Sequence, residues 1–241
     1  MVPAMRSARR RSASASMRTT FSPVELTGQR WYQSGCYPLG VAYPKLTGEH
    51  IEMLPLAPEH AAGLWEAGKF PEIWAYFRDP VTSAKGMDEW IAVALRDRDQ
   101  NGAMPYAIRE RAGGKLVGST RLFDIQPGNR CGEIGYTWYT PAAQRTAVNT
   151  ECKLLLLTYA FEQMDLLRVQ FKTCSRNVAS QRAIERLGAV KEGALRDHIV
   201  CHDGYVRTSI YYSLLQREWP EAKRRLQGLL ESRKAKVQSP K

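Results

Sequence analysis

"EIGYTWYTPAAQRTAVNTECK", residues 133–153, runs from alternating apolar residues through a proline into a polar stretch that opens an apolar segment, "LLLLTYAF" (154–161). The alternation predicts a strand ending near Tyr139. The segment after it, apolar nearly all round, predicts a buried helix over 148–164. Strand, loop and helix in that order leave the first helical amides unpaired at the positive end of the helix dipole, a ready anion site. Loops that cradle phosphate usually carry glycine, whereas "QRTAVNTECK" (144–153) has none. Glycine is indispensable only where φ is positive, so the loop can do without it if residues 145–149 have helical angles. Arg145 and the hydroxyls of Thr146 and Thr150 would then add contacts to a phosphate. The other reading is an ordinary helix start capped by Thr146 or Asn149.

Outward from this unit the pattern is regular from Gly48 on. "EHIEMLPL" reads as a strand, and "APEHAAGLWEAG" follows as a helix with Pro58 in its first turn. A second helix spans roughly 85–98. "PYAIRERA" and "KLVGSTRLFDI" flank Gly113-Gly114, a hairpin signal, and "PGN" (127–129) turns the chain into "CGEIGYTWY". Beyond the central helix, "LLRVQFKT" alternates cleanly, and "VASQRAIERL" is a short helix stopped at Gly188. The strands "EGALRDHIV" and "RTSIYYSLL" turn at Asp203-Gly204, and an amphipathic segment, "REWPEAKRRLQGLL", precedes a basic tail. The order β-α-α-β-β-β-α-β-α-β-β predicts an α+β fold with helices on the faces of one sheet. Three regions follow: a basic extension over 1–42, the folded domain over 43–220, and a helix end with basic tail over 221–241.

The 241 residues are 44% hydrophobic with six Trp and eleven Tyr, enough for a full core. No apolar run approaches the roughly 18 to 20 residues of a membrane span, so the expectation is a soluble, intracellular protein, cytoplasmic or, given the Arg- and Ser-rich residues 1–20, mitochondrial. The five cysteines (36, 131, 152, 174 and 201) are far apart, with no histidine at ligand spacing, and predict neither a disulfide framework nor a metal site. The net charge of +11 is concentrated at the ends. Residues 1–20 carry five Arg and no acid (+5), and residues 217–241 carry eight Lys or Arg against three acids (+5). The remaining 196 residues therefore hold 11 − 5 − 5 = +1. A nucleic-acid-binding body needs a basic face, so nucleic acid is not an expected partner.

The element order and several local stretches resemble the GCN5-related N-acetyltransferase (GNAT) superfamily, in its ribosomal-protein-acetyltransferase-like branch, over about residues 43–220. "EIGYTWYTP" stands where that branch has E-I-G-Y on its fourth strand, and "QRTAVNTEC" where it has Q-G-x-G-x-A-T-E-A. "NVASQRAIERLGAVKEG" matches a later N-x-x-S…E-x-x-G…x-E-G. Gln144, Thr150 and Glu151 fit the motif, whereas Arg145, Ala147 and Asn149 replace small residues. The resemblance implies a mostly antiparallel mixed sheet with a V-shaped splay between the fourth and fifth of the predicted strands and helices on both faces. It also implies transfer of an acetyl group from acetyl-coenzyme A to a primary amine, on a peptide N-terminus or a small molecule.

By the same resemblance, the pyrophosphate of acetyl-coenzyme A would lie on Gln144, Arg145, Thr146, Ala147, Val148, Asn149 and Thr150. The backbone of Tyr136, Thr137, Trp138 and Tyr139 would pair with the pantetheine arm, although Trp138 and Tyr139 also read as aromatic packing at a strand end. Asn177 would contact that arm and Ser180 would lie near the thioester sulfur, whereas on residue type alone Asn177 caps a helix. Glu133 is the candidate base, placed by simple alternation on one face with Gly135 and Thr137, opposite Ile134, Tyr136 and Trp138. Its alternative role is a structural carboxylate bonded to Arg121 or Arg196. Ile184 occupies the place of the tyrosine that many superfamily members use as acid. A thiol of pKa about 8.5 is already a fair leaving group, so Ser180 need donate only weakly. Trp74, Tyr76, Phe77, Asp88 and Trp90 would line the acceptor side. An α-amine, with pKa about 7.7 to 8.0, needs less help from a base than a lysine near 10.4. Two further readings are a fold retained as an acyl-coenzyme A sensor with little catalysis, and a nucleic-acid-associated protein acting through its tails. Monomer and homodimer are both open.

Overall fold

The computed structural model describes residues 43–238; the expected N-terminal extension and targeting segment lie outside them. Eight strands form one sheet: β1 (Leu46–Thr47), β2 (Ile51–Pro55), β3 (Met104–Glu110), β4 (Leu116–Gln126), β5 (Cys131–Tyr139), β6 (Arg168–Cys174), β7 (Val190–Val200) and β8 (Val206–Leu215). Their order is β1-β2-β3-β4-β5-β6-β8-β7. Every pairing is antiparallel except β5 with β6. The helices are α1 (Ala61–Gly68), α2 (Pro71–Trp74), α3 (Ala84–Asn101), α4 (Val148–Thr158), α5 (Val178–Arg186) and α6 (Trp219–Gln238).

The expected α+β architecture is present, with differences at short elements. The two-residue β1 and the four-residue α2 fall below the length at which periodicity is legible. The predicted helix 148–164 is α-helical only to Thr158 and closes with a π-helical turn over Tyr159–Gln163.

The two faces of the sheet bury separate cores. One gathers Ile134, Tyr139, Leu155, Leu156, Ile184, Trp219 and Leu226 under α4, α5 and α6. The other gathers Leu56, Leu64, Trp74, Met87, Ile91 and Trp138 under α1, α2 and α3. α4 is buried on most sides, at Val148, Thr150 to Lys153 and Leu155 to Thr158, which accounts for its even apolarity.

Its one acidic first-turn residue is a tertiary latch. Glu151 accepts the amides of Glu49 (2.7 Å), His50 (2.8 Å) and Ile51 (2.9 Å), tying α4 to the start of β2. Gly48 is required beside it, because a Cβ at that position would overlap the Glu151 carboxylate. No described helix is long and apolar enough to cross a membrane.

Candidate active site

β5 and β6 run side by side for three residue pairs only: Cys131 with Arg168, Gly132 with Val169 and Glu133 with Gln170. Beyond Glu133, β5 continues for six residues with β4 as its sole strand partner among the described residues, while β6 stays with β8. The strands therefore part at Glu133 and leave one edge of residues 134–139 unpaired by the sheet.

A bulge lies in that unpaired part. Ser119 faces Trp138 and Arg121 faces Gly135, so Thr120 alone opposes both Tyr136 and Thr137, and Tyr136 has φ +49°. The bulge corrects the facing predicted by straight alternation. Thr137 turns to the α4 face, where its hydroxyl meets Lys153 Nζ (2.8 Å) and Thr120 Oγ1 (2.7 Å). Trp138 turns to the opposite face and packs on Trp74 and Trp90, with ring centroids 5.3 and 6.2 Å away. Tyr136 is on that face too, edge-to-face with Phe123 (5.1 Å). Gly135 remains beside Glu133 as expected: a Cβ on it would meet Phe123 and the Glu133 carboxylate.

Glu133 is buried at the point of divergence. Its carboxylate accepts Gln170 Nε2 at 2.8 Å and lies 3.3 Å from Lys172 Nζ. Neither Arg121 nor Arg196 is its partner, contrary to the structural alternative posed from the sequence. The pairing depends on β6 lying parallel beside β5, a non-local fact. Arg121 instead has its guanidinium 4.7 Å from the ring centre of Trp90 and 4.1 Å from that of Tyr136. Lys172 also lies over the ring of Tyr211 (5.7 Å).

At the other mouth of the opening, a 3-10 turn (Pro141–Ala143) leads to Gln144 and Arg145, both exposed, and then into α4. Arg145 has φ +60°, so the expectation of helical angles from residue 145 onward fails there. The backbone enters the helical region later, with Ala147 at φ −69°, ψ −23°. An arginine therefore occupies the conformation that favours glycine, at a cost of roughly 1–2 kcal/mol.

The Thr146 hydroxyl donates to Ala143 O (2.6 Å) and accepts the Val148 amide (3.2 Å), and Asn149 Oδ1 accepts the Tyr139 hydroxyl (3.0 Å). Thr146 thus satisfies one amide of the helix start, and Asn149 serves as a strut rather than a cap. The first backbone bond of the helix runs from Glu151 N–H to Ala147 O (2.9 Å). Among the described residues the amides of Ala147, Asn149 and Thr150 have no protein acceptor. Val148 and Thr150 have buried side chains, so only their backbones are available to a ligand.

Asn177 Oδ1 accepts the Ser180 amide at 2.9 Å and so caps α5. The cap leaves Asn177 Nδ2 and Ser180 Oγ without a partner among the described residues. Ile184 is buried in the core, as a residue without an acid function should be. On the α1–α3 face, Trp74 is a core residue, Trp90 and Phe77 are half-buried around it, and Tyr76 and Asp88 are exposed. Trp74 gathers Phe77 and Trp90 around it, with ring centroids 5.0 and 6.4 Å away.

Reasoning from the sequence missed four polar residues of the region: Gln170 and Lys172 beside Glu133, Lys153 beneath the bulge, and His198. The last reaches Ser209 Oγ (3.0 Å) and packs on Tyr211 from a bulged part of β7. Lys153 carried a signal, as a lysine inside an otherwise apolar helix. Burial lowers its pKa, and the groups that meet its ammonium are the hydroxyls of Thr137 and Thr120 (3.3 Å).

Residues 50–190 match the family model described as an acetyltransferase (GNAT) domain. The chain is 33% identical over 181 residues to "Putative ribosomal N-acetyltransferase YdaF" of Bacillus subtilis (strain 168), covering 71% of this chain and 94% of that one. It superposes on the crystal structure of a GCN5-related N-acetyltransferase from Brucella melitensis with TM-score 0.73 at 27% identity, covering 79% and 86% of the two chains. Mycobacterium smegmatis RimJ, solved in complex with CoA-disulfide, shares the fold with TM-score 0.64 at 18% identity, covering 74% and 88%.

Proposed function

The chain belongs to the GNAT acetyltransferase family, and from that premise we propose that it acetylates the primary amine of a peptide N-terminus or a small molecule in a ternary complex with acetyl-coenzyme A. The observation that carries this reading is the parting of β5 from β6 immediately after Glu133, with the unpaired amides of α4 at one end of the opening and a buried carboxylate at the other.

Acetyl-coenzyme A supplies the acetyl group as a thioester, and the acceptor nitrogen forms the new C–N bond as the C–S bond breaks. The anionic end of the co-substrate fits the start of α4, where the amides of Ala147, Asn149 and Thr150 converge on a helix N-terminus and Arg145 adds a cation. The open edge of Tyr136 to Tyr139 offers backbone groups to an extended arm. Here the side chains of Trp138 and Tyr139 serve packing, and only the backbone is assigned to binding. Asn177 holds α5 in place and keeps Nδ2 free for the same arm. Ser180 stands at the start of that helix as a weak donor to the departing sulfur.

Glu133 takes the proton from the acceptor amine, directly or through water. Lys172 and Gln170 fix its orientation, and a weakly basic α-amine asks less of a base than a lysine does. The word "ribosomal" in the name of the B. subtilis relative favours a protein N-terminus as acceptor. The sensor reading draws on one observation, the left-handed Arg145 in the phosphate loop.

Calorimetric titration with acetyl-coenzyme A separates these readings when run beside a thioester-consumption assay with α-amine acceptors. We expect micromolar binding, weakened by Arg145→Ala and by Asn177→Ala, and turnover abolished by Glu133→Gln with binding retained. Binding without turnover on any amine supports the sensor. No binding at millimolar concentration removes both.

A further inference from the structure

The α1–α3 face of the opening carries two buried guanidiniums that form no ion pair with a described carboxylate. Arg121 lies on β4 directly across from Gly135, two residues from the Phe123–Glu133 pair, so its side chain rises on the same face as the Glu133 carboxylate. It is 2% exposed. Its Nε has no hydrogen-bond partner, and it forms no ion pair with a described residue. Trp90 and Tyr136 hold its guanidinium between their rings. Among the described carboxylates Asp97 acts on it through space without touching it, and Asp97 Oδ1 accepts Asn101 Nδ2.

Further along this face Arg207, 8% exposed, meets Tyr76 O at 3.4 Å and, among the described residues, leaves Nε unpartnered. The charge of Glu133 is already taken up by Lys172. Burying a charge with no counter-ion is costly, and ring faces recover only part of that cost. Tyr136, which covers Arg121 from the cleft side, is 43% exposed and sits in a strained backbone conformation.

We propose that Arg121 is a specificity-determining residue and that the acceptor amine carries a carboxylate that docks on its guanidinium when Tyr136 moves aside. An amine is itself a cation until it loses its proton. A cleft with unpaired cations repels it unless the same molecule brings an anion, and a planar guanidinium fork matches a carboxylate. The class is therefore an amino acid, or a peptide whose N-terminal residues include Asp or Glu; polyamines are disfavoured. The inference rests on the acetyltransferase reading for the identity of the ligand as acceptor, but not for the binding itself.

The test uses the full chain and matched pairs of amines: β-alanine against β-alaninamide, and Ala-Asp-Gly-amide against Ala-Asn-Gly-amide, with spermidine as a further acceptor. Each is measured by thioester consumption and by quenching of tryptophan fluorescence in the presence of coenzyme A. We expect at least one carboxylate member to exceed its amide partner by on the order of 10- to 100-fold, expressed in KM and in the fluorescence Kd. Which pair responds separates a small amino acid from an acidic peptide. In Arg121→Met the ratio should fall to about one, and in Arg121→Lys, which keeps the charge and loses the fork, it should be intermediate.

A ratio near one in the unmodified protein overturns the proposal, as does a ratio that survives Arg121→Met or a preference for spermidine. If Arg121→Met does not fold, the pairwise ratios in the unmodified protein and in Arg121→Lys decide alone. Carboxylate-dependent quenching without turnover sinks the catalytic reading and leaves this one standing. Turnover without carboxylate preference does the reverse.

Discussion

Arg145 concentrates the tension between backbone strain and ligand chemistry in one residue. Its φ of +60° is the conformation that glycine adopts freely, and its carbonyl is held by Arg233 Nη1 of α6 at 2.7 Å, so the strained geometry is fixed from outside the loop. Arg145→Gly separates the two roles. Relief of strain exceeds the added entropy of the unfolded chain, so urea denaturation should show a gain of about 0.5 kcal/mol. Loss of the guanidinium should weaken acetyl-coenzyme A binding by several-fold, roughly one charge-assisted hydrogen bond. A gain in stability with unchanged affinity would mean that the side chain never reaches the phosphate. "QRTAVN" shows which residues are polar and where the glycines are missing. It does not show that residue 145, rather than 147 or 149, is the left-handed one, because that depends on where α4 starts and on the carbonyl held by α6.

At the scale of elements, α4 is fixed at its first turn by Glu151. Three amides, those of Glu49, His50 and Ile51, converge on this carboxylate. Glu151→Ala leaves these groups unpaired in a half-buried site and should cost about 3 kcal/mol, read as a lower urea midpoint with unchanged m-value. A loss below about 0.5 kcal/mol would show that water replaces the carboxylate freely. Glu151 stood in the sequence as part of a match to a phosphate-loop motif, and its work in the structure is done behind that loop. β5 was legible in full, Cys131–Tyr139, from its alternation and the flanking turns. Its bulge was not, since a bulge is a mismatch between two strands: the one residue Thr120 faces two. The same shift sent Tyr136, Thr137 and Trp138 to the faces opposite those expected.

Across the whole molecule, the three last-paired strands are held together at one end by Glu192 of β7. Its carboxylate takes a two-point contact from Arg168 of β6 (2.6 and 2.5 Å) and a hydrogen bond from Ser213 of β8 (2.7 Å), spanning β6, β8 and β7. The Arg168 contact, helped by Ser213, holds its pKa down to about 2 from an ordinary 4.5. The folded-state value is the depressed one, so the stabilisation is fully present above pH 4.5 and is lost as the pH falls toward 2. Because the pair is partly exposed, solvent screening limits it to about 1 kcal/mol. Glu192→Gln should lower stability by that amount at pH 7 and flatten the acid limb of a thermal-denaturation profile between pH 4.5 and 2. An unchanged acid limb would assign acid lability elsewhere.

The sequence by itself determined the number and kind of the longer elements, the buried character of α4 and the family motif. Each of these is written in local periodicity, turn residues and spacing, which a chain carries wherever it folds. The tertiary structure alone decided what the polar residues do. Glu133 meets Lys172 because β6 lies parallel beside it, and the opening exists because that pairing stops after three residues. Among the described residues Arg121 has no ion-pair partner, because Gly135 faces it and aromatic rings close over it. Charge pairing and burial are sums over neighbours distant in sequence, and no local pattern encodes them.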